Sequence, residues 1–298
     1  MKKLFILIFF WLIIPYYSHA GIYTLTTAEG FNVSISTCSE DIFRVRVTVE
    51  NSFPESLMER YSLIRTDWPV VEDSFSDGEG QVTIDNGKYR LIVDKKDFSL
   101  CVLGRDGTPV IRSVSYLPPS DCRIKSMGDM LDERYSWCKV KKAILGDTEG
   151  ETVVVKTNDV GDVSKNSMLG FELADDERFY GCGNASHEHL QHRGEILRIW
   201  SKANYSGMAV PFVMSSKGWA VFNNTTVRNY FDIGASEPDK MWIYNTQPGF
   251  DFYILLGDDM LDALDLYTQV TGRATMLPNW AYGSSFAGIE LENILDIM

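Results

Sequence analysis

The strongest constraint on this chain is alternation. Short runs with apolar residues at alternating positions recur along its length: FNVSIST (31–37), IFRVRVTV (42–49), KYRLIVD (88–94), ETVVVKT (151–157), GWAVFNN (218–224) and FDFYILLG (250–257). Successive side chains of a strand point to opposite faces, so such runs read as strands with a buried side. Turn signals separate them, with DNG at 85–87, GRDG at 104–107 and SKG at 216–218. IDNGKYRLIV reads as a hairpin with Asn86-Gly87 at its corner. Many short strands at this spacing predict a sandwich or barrel. One helix stands out, in DDMLDALDLYTQVTGR (258–273). Met260 or Leu261, Leu264, Leu266 or Tyr267, and Val270 form its apolar stripe, with Asp258 as N-cap and Gly272 as terminator. Residues 115–150 are polar, are interrupted by Pro118-Pro119, and read as a long loop or insertion.

The first twenty residues carry Lys2 and Lys3, then an apolar run from Leu4 to Ile14, then Pro15 and the small residues Ser18 and Ala20. The run is shorter than the roughly twenty residues a bilayer requires. The segment is expected to be a signal peptide cut after Ala20, leaving an exported, periplasmic or extracellular protein with no membrane attachment. Removing its two lysines takes the net charge from −13 to −15. That balance argues against nucleic acid, which is bound through Lys and Arg at phosphates. Export permits disulfides, but the five cysteines, Cys38, Cys101, Cys122, Cys138 and Cys182, are odd in number. Cys122 and Cys138 are spaced to close a loop, and Cys101 reads as a buried free thiol.

Three of the four histidines, His187, His189 and His192, fall in GCGNASHEHLQHRG. A zinc protease would need H-E-x-x-H, and position 191 is Gln. The stretch reads as a solvated connection, with no metal and no cofactor expected. A sugar epimerase would want a His and a carboxylate facing one pocket, which a loop placement does not favour. Phosphate loops, dinucleotide fingerprints and the G-x-S-x-G elbow are missing from the sequence.

Four ordered stretches carry a resemblance. ERFYGCGN (177–184), RGEILRIW (193–200), VPFVMSSKGWAVFNN (210–224) and DFYILLGDDMLDALDLYTQVTGRATMLPNWAYG (251–283) resemble successive motifs of glycoside hydrolase family 31. The resemblance implies a galactose-mutarotase-like β-sandwich placed before a catalytic (β/α)8 barrel. It divides the chain into residues 1–20, a sandwich over 21–275, and a linker with the start of the first βα unit over 276–298. Family members hold two catalytic aspartates in the barrel, one of them on a W-x-D-M-N-E-like strand end. Retaining chemistry needs such a pair about 5–5.5 Å apart. No W-x-D occurs in the 298 residues. The expectation is therefore a truncated hydrolase, inactive as this chain alone, with no catalytic residue to name.

The resemblance also nominates a lip for the sugar pocket in WSKANYSG (200–207), where Lys202, Asn204 and Tyr205 stand. Asn both donates to and accepts from hydroxyls, and Tyr stacks on a sugar face. An exposed turn with an ordinary aromatic explains the same residues equally well. Asn184 replaces a Glu that the family usually has. Trp280, Tyr282 and Phe286 are expected at the junction with the barrel, and Trp219 and Trp242 in the core. The partners implied are an α-linked glycan and a polypeptide that carries the barrel. The alternative is a non-catalytic module that binds carbohydrate or docks on such a partner.

Overall fold

A computed structural model describes residues 21–118, 139–140, 153–154, 166–184, 189–200 and 208–282, with the side chains of 139–140, 153–154, 280 and 282 excepted. The described residues form two large antiparallel sheets packed face to face. Sheet one runs β1 (Ile22–Thr26), β2 (Asn32–Ser39), β3 (Ile42–Thr48), β18 (Phe250–Leu256), β15 (Trp219–Asn223), β14 (Phe212–Ser215) and β12 (Phe179–Gly181). Sheet two runs β13 (Glu195–Ile199), β16 (Asn229–Ile233), β17 (Lys240–Asn245), β11 (Ser167–Glu172), β8 (Pro109–Leu117), β7 (Ser99–Gly104), β6 (Tyr89–Asp94), β5 (Gln81–Asp85) and β4 (Ser74–Asp77). A separate pair joins β9 (Lys139–Val140) to β10 (Val153–Val154), the described part of the 151–157 run.

Alternation sets which residues meet between the sheets. Phe43, Val45 and Val47 of β3, and Phe252 and Ile254 of β18, point inward against Leu91, Val93, Phe171 and Ile243 of sheet two. The β5–β6 hairpin forms as its sequence predicts. Asn86 Oδ1 accepts from Tyr89 N at 2.8 Å, and Gly87 takes a φ of 84°. Gly170 has a different reason. It lies opposite Trp242 in the β11–β17 register, and a Cβ there would come within 2.5 Å of the indole. Glycine lets that ring lie flat across the neighbouring strand.

Strands β14, β15 and β18 read as nearly continuous apolar runs because both of their faces are covered. On the outside lies helix α2 (Met260–Thr271). Its N-cap is Asp259, one residue later than expected, accepting from Leu261 N and Asp262 N at 2.7 and 3.0 Å. The buried stripe is also rotated from the expected one. Ala263, Leu266 and Val270 are buried, whereas Leu261 is 75% and Leu264 41% exposed. Packing decides the face: the helix lies on Phe212, Ala220, Phe222 and Leu255, and Tyr267 stacks on Phe212 at 4.3 Å. Each buried Leu or Val there contributes about 1.5–3 kcal/mol.

A one-turn helix, α1 (Leu57–Arg60), went unforeseen. Ser56 and Glu59 form a reciprocal capping box around it. It is pinned to sheet one by Arg44, which donates to Glu59 at 2.7 Å and to Asp251 at 2.8 and 2.5 Å. Burial pushes the Glu59 carboxyl up, but the Arg44 guanidinium and the Ser56 donors outweigh it and leave Glu59 at about 2. Cys38 and Cys182 are buried free thiols, and Cys101 is half-buried rather than buried. Cys122 and Cys138 lie outside the described residues.

Candidate functional site

The first stretch that carries the resemblance, ERFYGCGN, includes the edge strand β12 and turns at one corner of the sandwich. Strand β12 ends at Gly181, and Gly181, Cys182 and Gly183 all take positive φ values of 117°, 59° and 64°. The reason is a close backbone approach. Cys182 N donates to Phe212 O at 2.7 Å, and Asn184 N donates to Met208 O at 3.1 Å. A Cβ on Gly181 would lie 2.6 Å from Phe212 O, and one on Gly183 would run into Met208 O. Cys182 has no such freedom, and its left-handed backbone costs about 1–2 kcal/mol. The glycine spacing of GCGN is therefore required by the strand it passes.

This corner holds one flank of the segment nominated as the sugar lip. Met208 is 72% exposed beside Asn184. At the other flank, Trp200 follows β13 and is half-buried, with the Arg228 guanidinium 5.1 Å from its ring centre. Lys202, Asn204 and Tyr205 themselves lie outside the described residues, as does Phe286. Trp280 and Tyr282 fall in a short 3-10 turn, Asn279–Tyr282, whose backbone alone is described at those two positions. Trp219 and Trp242 are in the interior, 2% and 4% exposed.

Beneath the corner sits a carboxylate whose role sequence reasoning missed. Glu177 is 4% exposed. Its Oε1 accepts from Trp219 Nε1 at 2.6 Å and from the Ser215 hydroxyl, and its Oε2 accepts from Ala174 N at 3.0 Å. Arg193 closes the same turn from outside, donating to Ala174 O at 2.6 Å, Glu177 O at 3.1 Å and Pro238 O at 2.6 Å. Glu177 thus joins β12, β14 and β15. The available signal was Trp219 itself, since a buried indole N–H requires an acceptor.

The histidines divide. His187 lies outside the described residues. His189 is exposed, with Nδ1 2.8 Å from Glu195 Oε1. His192 is buried, with Nδ1 2.9 Å from Glu195 Oε2 and Nε2 3.2 Å from Gly181 O. Imidazole and carboxylate do meet, contrary to what a solvated connection would give. They meet in a seam between strands, with both His192 nitrogens engaged, which is not the open pocket an epimerase needs. Among the described residues, no group of three His, Cys, Asp or Glu side chains is arranged to hold a metal.

The fold and this corner define a galactose-mutarotase-like β-sandwich. The family model described as glycosyl hydrolase 31 N-terminal galactose mutarotase-like domain matches residues 32–232, and the chain belongs to that family. An isomaltosyltransferase of Sporosarcina globispora is 23% identical over 264 residues, which cover 84% of this chain and 20% of that enzyme. An α-xylosidase of Saccharolobus solfataricus is 30% identical over 124 residues, 38% of this chain and 16% of the relative. Among solved structures, a family 31 α-xylosidase from a soil metagenome, complexed with xylose, superposes with a TM-score of 0.62 at 19% identity. That match covers 89% of this chain and 36% of that one. A Flavobacterium johnsoniae family 31 dextranase complexed with isomaltotriose gives 0.61 at 17% identity, covering 89% and 29%. The matches thus span between 16% and 36% of the length of these proteins.

Proposed function

We propose that this chain is the exported N-terminal sandwich of an enzyme acting on α-linked glycosides. It shapes one lip of the sugar pocket and depends on a (β/α)8 barrel for both catalytic carboxylates. The observation that carries this reading is the family match over residues 32–232, in a sequence with no W-x-D stretch. In such a reaction one carboxylate attacks the anomeric carbon while the other protonates the departing oxygen. The sandwich contributes neither group. Its part is to present Lys202 and Asn204 to sugar hydroxyls and Tyr205 to a sugar face, on flanks anchored at Trp200 and Met208.

The test is an assay of the 298-residue chain on nitrophenyl α-glucoside and α-xyloside, alone and with a polypeptide that supplies the barrel. The expected result is no turnover alone and turnover with the barrel; turnover by the chain alone sinks the proposal. Export is checked by the mass of the N-terminal peptide from secreted material, which should begin at Gly21.

A second reading is a non-catalytic module that binds carbohydrate or docks on another polypeptide. Met208 and Leu190, 72% and 86% exposed in the corner segment, favour it. In its sugar version isomaltotriose binds saturably, and replacing Asn204 and Tyr205 by Ala weakens the binding. No detectable binding at millimolar isomaltotriose ends that version.

A further inference from the structure

β12 and β13 are the edge strands of two different sheets, and a single imidazole sits between them. His192 is 4% exposed. Its N–H donates to Phe179 O at 2.9 Å, and its own carbonyl accepts from Glu195 N at 3.0 Å. The ring then places Nδ1 on the Glu195 carboxylate at 2.9 Å and Nε2 on the Gly181 carbonyl at 3.2 Å. An ionised carboxylate and a backbone carbonyl only accept hydrogen bonds. A neutral ring owns one N–H and would turn a lone pair on one of these oxygens. A ring with hydrogen on both nitrogens satisfies both.

We propose that His192 is a charged clasp, an imidazolium paired with Glu195 that fastens one sheet to the other and positions the flanks of residues 201–207. From Gly181 the backbone runs to Asn184, which holds Met208 O at 3.1 Å. From Glu195, β13 runs to Trp200. Both ends of the intervening segment therefore hang from strands that the clasp joins. The bearing on sugar binding rests on reading Lys202, Asn204 and Tyr205 as the lip; the clasp does not.

The other charged and titratable groups around the ring are accounted for. His189 lies on the second oxygen of Glu195 at 2.8 Å. Arg193 is turned to the carbonyls of Ala174, Glu177 and Pro238. The Cys182 thiol is pushed up by burial and by the Glu195 carboxylate, so it stays neutral. Loss of the proton from His192 removes one of its two ring contacts. The clasp is therefore tighter with hydrogen on both ring nitrogens than with hydrogen on one.

The Asn184 amide is the reporter. Its hydrogen exchange, corrected for the intrinsic rate, should be at least tenfold slower at pH 5.5 than at pH 8 in the wild-type chain. His192→Gln and Glu195→Gln should lose that difference. Imidazole nitrogen spectra at pH 5.5 should show hydrogen on both His192 nitrogens. A neutral buried ring, the ordinary result of desolvation, would show one bare nitrogen and overturn the proposal, as would a corrected wild-type rate that ignores pH. Should His192→Gln not fold, the Glu195→Gln variant and the wild-type spectra still decide. An isomaltotriose titration runs alongside. A wild-type chain that passes the clasp measurements and binds no sugar sinks the lip alone; a failed clasp sinks the clasp whatever the sugar does.

Discussion

The sandwich is closed by different chemistry along its two sides. At the β1/β4 side, Tyr23 stacks on Phe75 with ring centres 4.5 Å apart and planes 6° from parallel. Asp73 accepts from the Tyr23 and Thr37 hydroxyls, both at 2.6 Å. At the β12/β13 side the contacts are Glu177 under its three donors and His192 between Gly181 and Glu195. The first side is a ring stack backed by a half-buried carboxylate. The second is buried polar bonding, in which every donor that loses its acceptor costs about 1–3 kcal/mol. A side built of area degrades gradually when cut, and a side built of buried hydrogen bonds fails at single atoms. The second side is also the one that carries the flanks of the proposed sugar lip.

The largest effect should come from Glu177→Ala, which strands Trp219 Nε1, the Ser215 hydroxyl and Ala174 N. Urea unfolding should show a loss of about 3 kcal/mol or more; a loss under about 1 kcal/mol would mean the two sides do not differ in kind. Asp73→Ala, on the wetter side, should cost about 1–2 kcal/mol by the same measurement. Phe75→Ala should cost about 1 kcal/mol, the scale of one partly exposed aromatic pair.

pH should separate the sides with smaller effects. Burial and the Asp73 carboxylate push the Tyr23 phenol up to about 12. A raised acid stabilises the fold below its unfolded value of about 10 and loses that contribution as pH climbs toward 12. The loop that leads to β4 has the opposite limit. Glu59, held at about 2, contributes above its unfolded value, and that contribution fades as pH falls from about 4.5 toward 2. Between pH 5 and 8 the β1/β4 side should therefore exchange its amides at a constant corrected rate, while Asn184 on the other side should not. Equal pH dependence at Leu25 and Asn184 would erase the contrast.

Much of the sandwich was legible because alternation is local. A residue's face in a strand follows from its position, so FNVSIST and IFRVRVTV declare their inner side chains without knowledge of their partners. The Asn86-Gly87 turn is legible for the same reason, since its bonds close within four residues. The ordered motifs identified the family before any contact was known. Helix α2 was legible as a helix but not in its facing. Leu261 and Leu264 looked like core by hydropathy, yet sheet one met the side bearing Ala263, Leu266 and Val270.

The site was less legible because its bonds are distant in sequence. Glu177 reaches Ser215 and Trp219 across 38 and 42 residues. His192 reaches back across 11 residues to Gly181. The sequence by itself determined the strands, their turns and the family, since each rests on periodicity or on short ordered motifs. Only the tertiary structure decided that Glu177 is a hub, that His192 is enclosed, and that GCGN needs its glycines. Those properties belong to atoms from separate strands brought within hydrogen-bond distance, and no local pattern encodes which strands will be neighbours.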